Sequence, residues 1–312
     1  MYGAGVTKTA LIIANPTAKR GEAAIQRIVA KLTAGYETAG WQVITCYTER
    51  EGPRERQLVS QHADKVQSIV AIGGDGTVRE TVLAMTDAQR HRIPIGFVPA
   101  GNANVLAREV GIPIDNEDAA IAIVLAGHQK QMDVGAIDGK ATFLLMLDVG
   151  YFAEVIHAVA GARSRGITRW LYSLGGDAFY TGIGLLKLLK PNRAKVTITT
   201  DDQESFIATS VAIANAHVYA KTGSFCPDAD PGDGMLNFNA AKPGKTFRYS
   251  LAAMRGKPKQ AASRTGSSKR FALRAETKHF ICQVDGDPLA GGPFTELIVE
   301  VLANHYSLLA PR

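Results

Sequence analysis

The chain has 312 residues, 46% apolar and 21% charged, which gives enough apolar material for a packed core in one large or two ordinary domains and too much for a disordered chain. Its formal charge of +6 suits an anionic surface, a nucleotide or a nucleic acid without choosing among them. MYGAGVTKTA offers no apolar leader, no later run reaches membrane-spanning length, and Cys46, Cys226 and Cys282 are too scattered for a disulfide framework or a zinc spacing, so a soluble protein of a reducing cytoplasm is expected.

Thr9 to Asn15, TALIIAN, reads as a compact apolar strand closed by the turn NPTAKRG. Ala23 to Thr38 follows with Ile25, Ile28, Val29 and Leu32 at helical spacing and Gly40 as its stop. Gln42 to Tyr47 is a second strand ending at Thr48, and Pro53 to Ala63 a polar helix. Next comes SIVAIGGDGTVRE, from Ser68 to Glu80. Ile69, Val70 and Ile72 form a short buried strand, and Gly73, Gly74 and Gly76 a turn tight enough for backbone N–H groups to approach an anion. Asp75 is carried on that turn. Thr77 is the expected N-cap of a helix through Val78, Val82 and Met85, whose positive end faces the same spot. A glycine cluster taken alone serves equally well as a turn with no ligand. Pro94 to Pro99 is another buried strand, running into AGNANVLARE, and the alternation of strands and helices predicts a parallel sheet with ligands at the carboxyl ends of its strands.

After a helix over Glu117 to Ala126 the composition changes near Gln131, where a domain boundary is placed. MDVGAIDGKATFLLMLDVG reads as a hairpin turning at Asp138-Gly139. Residues 152 to 190 read as mostly helical, with Arg163, Arg165, Arg169 and Trp170 beside the apolar run Ile183 to Leu189. Such a stretch is a helix pair packed on its own sheet or a membrane-interface surface. A second hairpin over Lys195 to Val218 turns at Asp201-Asp202. Strands at Met235 to Asn239, Arg270 to Arg274, Phe280 to Val284 and Thr295 to Leu302 complete an antiparallel sandwich pattern. Two acidic turns stand out. CPDADPGDGMLNF offers oxygen ligands for a hard cation, or an ordinary Asp-Gly turn, and VDGDP, Val284 to Pro288, reads by itself as a hairpin turn.

In their order and spacing, NPT, GGDGT, PAGNAN, CPDADPGDG and VDGDP resemble the bacterial-type diacylglycerol kinase-like lipid kinases and the related sphingosine kinases, over nearly the full length. The resemblance implies a Rossmann-like, phosphofructokinase-like α/β domain over 1–130, joined by the tail at about 303–312, and an antiparallel β-sandwich over 131–302, with the active site in the interdomain cleft. It implies that Asn15, Pro16, Thr17, Thr48, Gly73, Gly74, Asp75, Gly76, Thr77, Glu80, Gly101, Asn102 and Asn104 hold ATP. Asp287 is implied as the general base, Asp75 as serving the nucleotide metal or acceptor, and Asp133 as lying near the acceptor hydroxyl. A structural magnesium is implied on Asp233, with the carbonyls of Asp230 and Met235.

This chain departs from the family pattern in several places. Ala18-Lys19 replaces the usual Ser-Gly, Asn102 and Val105 stand where Thr and Asp are usual, and Asp287 is shorter than the usual Glu. Sphingosine kinases also lack an acid at the place of Val105. The implied reaction is in-line transfer of the γ-phosphoryl group of Mg-ATP to a lipid hydroxyl, by a peripheral protein at the inner membrane face, with a homodimer left open. An NAD kinase also carries GGDGT, but its short Asn-Glu pair is not found at a convincing place. A non-catalytic lipid- or nucleotide-binding regulator is the rival of a different class. No nucleic-acid motif is present.

Overall fold

The computed structural model describes residues 8–49, 54–163, 195–218, 223–254, 261–276 and 279–312. The chain divides into two compact units, Met1–Asp133 with Ala303–Arg312, and Val134–Leu302.

The first unit is built on β1 (Thr9–Ala14), β2 (Gln42–Tyr47), β3 (Ser68–Gly73) and β4 (Ile95–Pro99), hydrogen-bonded in parallel in the order β2-β1-β3-β4. The end of β16 (Glu296–Leu309) joins beside β4, with Leu308 opposite Ile95. Leu11, Ile12, Ile13, Val70, Ala71 and Ile72 are wholly buried, as the unbroken apolar runs of strands covered on both faces require. The covering helices are α1 (Glu22–Thr38), α2 (Glu55–His62), α3 (Asp75–Ala84), α4 (Asp87–Arg92), α5 (Val105–Glu109) and α6 (Glu117–Ala126). α1 buries Ile25, Ile28, Val29 and Leu32, and the chain turns out of it at Gly40 with φ +80°. α4 was not expected. It is opened by a capping box in which the Gln89 N–H donates to Thr86 Oγ1 at 3.3 Å and the Thr86 N–H donates to Gln89 Oε1 at 2.9 Å. Because β2 lies on one side of β1 and β3 on the other, the loops that follow β1 and β3 part at their carboxyl ends. In an open α/β sheet that divergence is where a ligand crevice forms.

The second unit is a sandwich. β5 (Gln129–Ile137) and β6 (Lys140–Phe143) form the expected hairpin, with Asp138 at φ +49° and Gly139 at φ +78°, the pair of left-handed residues that a two-residue turn of this hand needs. The third run of that stretch, β7 (Met146–Val149), leaves for the other sheet. β8 (Val196–Thr200) and β9 (Ser205–Ala208) likewise pair with each other, while β10 (Val211–Ala214) crosses over. One layer holds β5, β6, β8, β9, β13 (Arg270–Ala275) and the first half of β16. The other runs in the order β12 (Ser263–Ser268), β11 (Leu236–Ala241), β10, β7, β14 (Cys282–Val284), β15 (Asp287–Pro288). Leu147, Val149, Val211, Ile213 and Phe238 from the second layer meet Ile198, Phe271, Leu273 and Val299 from the first in one core.

The alternate residues of β7 and β10, Met146, Ala212 and Ala214, pack on the opposite face against Tyr151 and Phe152 of α7 (Tyr151–Arg163), Phe225, and Tyr249 of α8 (Thr246–Met254). β12 and α8 were not anticipated, and β16 runs on to Leu309 rather than stopping at Leu302. Of the helical stretch expected over 152–190, only α7 is described; Arg165, Arg169, Trp170 and the run Ile183 to Leu189 lie outside the described residues. Among the described residues no helix is long and apolar enough to cross a membrane.

Candidate active site

Four loops leave the carboxyl ends of β1 to β4. The turn after β3 and the turn after β4 are joined by backbone bonds: Gly73 C=O accepts from Ala100 N–H at 2.6 Å and from Gly101 N–H at 3.1 Å. Their glycines touch. A Cβ on Gly101 would stand 2.4 Å from Gly74 Cα, whereas one on Gly76 would meet nothing within 4 Å. Glycine is therefore required at 101 by the neighbouring backbone, and at 76 the loop has an open side.

α3 begins at Asp75 with Gly74 at the N-cap position, three residues ahead of the expected cap, Thr77. Thr77 is instead buried in the first turn, with its side chain beneath Gly73 and its N–H donating to Gly74 C=O at 3.0 Å. The extended backbone of Gly74 (φ −97°, ψ −175°) lets the helix start early. No side chain caps this end, so an anionic ligand is the natural partner for its N–H groups.

Asp75 acts on the neighbouring loop. Its Oδ1 accepts the Leu106 N–H at 2.9 Å, which caps the start of α5. Burial pushes its pKa up, and the backbone N–H groups of Leu106 and Val105 oppose that shift. Asn104 has left-handed backbone (φ +48°), which asparagine tolerates better than most residues. It closes the same turn in both directions, accepting from Gly101 N–H at 3.0 Å and donating to Gly101 C=O at 3.2 Å. Asn15 accepts from both the N–H and the hydroxyl of Thr17, at 3.0 and 2.9 Å, and its own N–H donates to Ile72 C=O at 2.9 Å. Pro16 lies within that turn. Thr48 is buried, its N–H on Ala14 C=O at 2.9 Å. Glu80, farther along α3, pairs with Arg79 at 3.4 Å and Arg56 at 3.6 Å.

Lys19, in the sequence a departure from the usual Ser-Gly, is part of this edge. Its ammonium reaches Asn102 Oδ1 at 3.0 Å, linking the loop after β1 to that after β4 and placing a cation at this edge. The structure thus gathers Asn15, Thr17, Lys19, Thr48, Gly73 to Thr77, Gly101, Asn102 and Asn104 at one end of the parallel sheet.

The bonding of Asp75 yields an expected result. Asp75→Asn keeps an oxygen for the Leu106 N–H and should fold with near-normal stability, whereas Asp75→Ala leaves that donor without it and should cost about 1–2 kcal/mol. Thermal unfolding of both variants checks the brace. Nucleotide turnover of the Asn variant then separates a brace, where activity survives, from a metal- or acceptor-facing carboxylate, where it does not.

In the second unit, VDGDP forms the β14–β15 hairpin, with Val284 opposite Asp287 and the two left-handed residues Asp285 (φ +49°) and Gly286 (φ +89°) at the turn. Its two acids have different tasks. Asp285 accepts the N–H groups of Leu144, Leu145 and Met146 at 2.8, 2.9 and 3.0 Å, which pins the turn to the corner where the chain passes from β6 to β7. Asp287 is exposed.

Behind the turn, the Gly286 N–H donates to Gln283 Oε1 at 2.7 Å, and the amide of Gln283 donates to the wholly buried carboxylate of Asp148. Neither Gln283 nor Asp148 carried a signal in the sequence. Burial pushes Asp148 up to about 7, against the Gln283 bond, and its Oδ1 has no hydrogen-bond partner among the described residues. A raised carboxyl is protonated in both states below about 3.8 and costs the fold progressively as pH climbs to its folded pKa, after which the cost is constant. Asp148→Asn should therefore raise the melting temperature by an increment that grows between about pH 4 and pH 7 and then levels off. A pH series of melting curves for both proteins checks this.

Asp133 is wholly buried and accepts the Asn304 N–H at 2.7 Å, where β16 bends with Asn304 at φ +50°. Asp230 and Asp233 each accept a backbone N–H two residues on, from Gly232 at 3.0 Å and Met235 at 2.9 Å. The loop offers a carboxylate and carbonyl oxygens, a donor set that suits a hard cation. Among the described residues no three of His, Cys, Asp and Glu are grouped to hold a metal by side chains.

Residues 9–137 match the family model of the diacylglycerol kinase catalytic domain. Over that stretch the chain carries the catalytic-domain pattern of the diacylglycerol kinase-like lipid kinases, to which it is similar. It is 27% identical over 259 residues to the diacylglycerol kinase of Bacillus subtilis, with 80% of each chain covered. It is 25% identical over 268 residues to the protein named "Probable lipid kinase YegS-like" of Citrobacter koseri, with 85% of each covered. The crystal structure of a diacylglycerol kinase from Bacillus anthracis shares the fold at a TM-score of 0.73, 19% identity and 97% coverage of both chains. The family's α/β domain followed by an antiparallel β domain is thus the architecture seen here.

Proposed function

We propose that this protein is an ATP-dependent lipid kinase acting on a lipid alcohol as a peripheral protein at the cytoplasmic face of a membrane. The observation that carries the reading is the paired glycine turn at Gly73–Gly74 and Gly101, set against an uncapped helix start at the carboxyl edge of a parallel sheet, in a chain similar to this family. Such an edge binds phosphate by backbone N–H groups and needs no large side chain. Phosphoryl transfer asks little covalent chemistry of a protein, so positioning and charge neutralisation do most of the work.

In this reading Gly73 to Thr77 hold the phosphates and Lys19 adds a positive charge beside them. Asn15, Thr17 and Thr48 line the nucleotide, Glu80 stands behind the helix start, and Asp287 takes the acceptor's proton. Magnesium bound with the nucleotide supplies further neutralisation of the phosphate charge. A second magnesium held by Asp233 and the carbonyls of Asp230 and Met235 would clip the 228–235 loop. Asp133, bonded to the bend of β16, acts by holding that backbone.

The test is ATP consumption by the purified chain with dispersed diacylglycerol, with a sphingoid base, with another long-chain alcohol, and with NAD. Turnover that depends on one of the lipids supports the reading and names the acceptor class. Phosphorylation of NAD alone would move the protein to the nucleotide-kinase branch. Tight nucleotide binding without turnover on any acceptor would make it a binding protein.

A further inference from the structure

Between Gly234 and Ala275 the sequence carries ten Lys and Arg and no Asp or Glu, so the rest of the chain holds 25 basic against 29 acidic residues. The entire positive excess of this protein therefore lies in one stretch of the second unit, and α8 stands in it. α8 turns Tyr249, Ser250 and Ala252 inward, with Tyr249 in the cluster beneath the sheet and its hydroxyl donating to Asn239 C=O at 2.9 Å. The other side presents Phe247, 58% exposed and the most exposed of the large apolar side chains described, together with exposed Arg248 and, just before the helix, exposed Lys245. Leu251, one turn on from Phe247, is half-buried. The base of the segment is fixed, since the Lys242 N–H donates to Ala262 C=O at 3.1 Å.

An uncovered phenyl ring between two cations, in a segment without a single acid, has the composition of an interfacial helix: the ring enters the boundary of the acyl chains while the cations meet the head groups. We propose that the Phe247 face of α8, with Lys245 and Arg248, docks on a bilayer surface rich in anionic phospholipid. Charge complementarity selects this occupant. A neutral bilayer would gain nothing from the cations, and an acidic protein would more often cover a larger apolar surface than one ring. The inference adds a partner to the lipid-kinase reading and rests on it only for its purpose, because vesicle binding is read without nucleotide or acceptor.

The experiment is co-sedimentation of the full chain with vesicles of phosphatidylcholine alone and of phosphatidylcholine with about a third phosphatidylglycerol, at low and high salt. Binding to the anionic vesicles alone, weakened by salt, is expected. Phe247→Ser should lower the partition roughly tenfold, and the double change Lys245→Glu with Arg248→Glu by roughly tenfold or more. Both variants should keep the parent's melting temperature, because these side chains are exposed. On a short-chain, water-dispersed acceptor both should turn over ATP like the parent. Equal binding to neutral vesicles, or anionic binding untouched by these changes, overturns the assignment. So does salt-sensitive binding to a duplex oligonucleotide that exceeds binding to the vesicles. Loss of turnover on every acceptor with vesicle binding intact would instead count against the kinase reading alone.

Discussion

Asp287→Asn is expected to bind ATP like the parent while its lipid-dependent turnover falls by roughly 10²–10⁴-fold. The position is held from both sides. Asp287 pairs with Val284 across the hairpin, and the turn between them is fixed by the three N–H groups on Asp285 and by Gln283 on Gly286. An amide at 287 therefore leaves the backbone where it is and removes only the capacity to accept a proton. Asp287→Glu, which carries the usual residue of the family, should retain far more activity than Asn. If the turn is purely structural the Asn variant should be nearly silent, because asparagine is a good turn former. The measurement is turnover together with ATP affinity for the three proteins. Near-normal turnover of the Asn variant would remove the base assignment from Asp287. An equal loss of ATP binding would place Asp287 on the nucleotide instead.

The glycine turns allow a paired experiment of comparable size. Gly101→Ala sets a methyl group 2.4 Å from Gly74 Cα, 3.2 Å from Gly74 N and 2.9 Å from Asn104 Oδ1. Two of those atoms are backbone, so the loops after β3 and β4 must separate and strain the bonds from Gly101 to Gly73 and Asn104. Overpacking of this kind costs about 1–3 kcal/mol, and ATP affinity should fall roughly tenfold or more, since the cradle is no longer one surface. Gly76→Ala adds its methyl group to open space inside a helix. The fold should tolerate it or gain slightly, because alanine is the better helix former. Affinity for ATP should nevertheless drop, since the methyl group occupies the open side of the loop. Calorimetric titration and thermal unfolding of both variants check the pair. A Gly76→Ala protein with unchanged ATP affinity would place the phosphates elsewhere.

What could be read directly from the sequence was local. β2 and α6 begin and end where the sequence reading puts them, at Gln42–Tyr47 and Glu117–Ala126, and in the folded chain Asn116 Oδ1 caps α6 by accepting the Ala119 N–H at 3.0 Å. Thr-Asp-Ala-Gln at 86–89 likewise carries the capping-box pattern that starts α4. What was not legible depends on distant partners. The corner that sends β7 to the other sheet is fixed by Asp285, 141 residues downstream of Leu144, so the stretch looks like one hairpin until its carboxylate is known. Asp75 shows the same limit. On a glycine turn an acid suggests a ligand, and its bond to Leu106 across 31 residues appears only in the folded chain. Asp148 reads as one polar letter in an apolar strand, and only the register β10-β7-β14 sets it against Gln283.

The path of β16 governs how the protein is made. Leu308, which pairs with Ile95 of β4, is synthesised after all of the second unit. At ribosomal rates of roughly 5–20 residues per second, the first unit waits on the order of ten seconds or more for its last strand. During that interval the free edge of β4 is a template for another chain. Nascent chains halted before Ala303 should accordingly depend on a holding chaperone that the finished protein does not need.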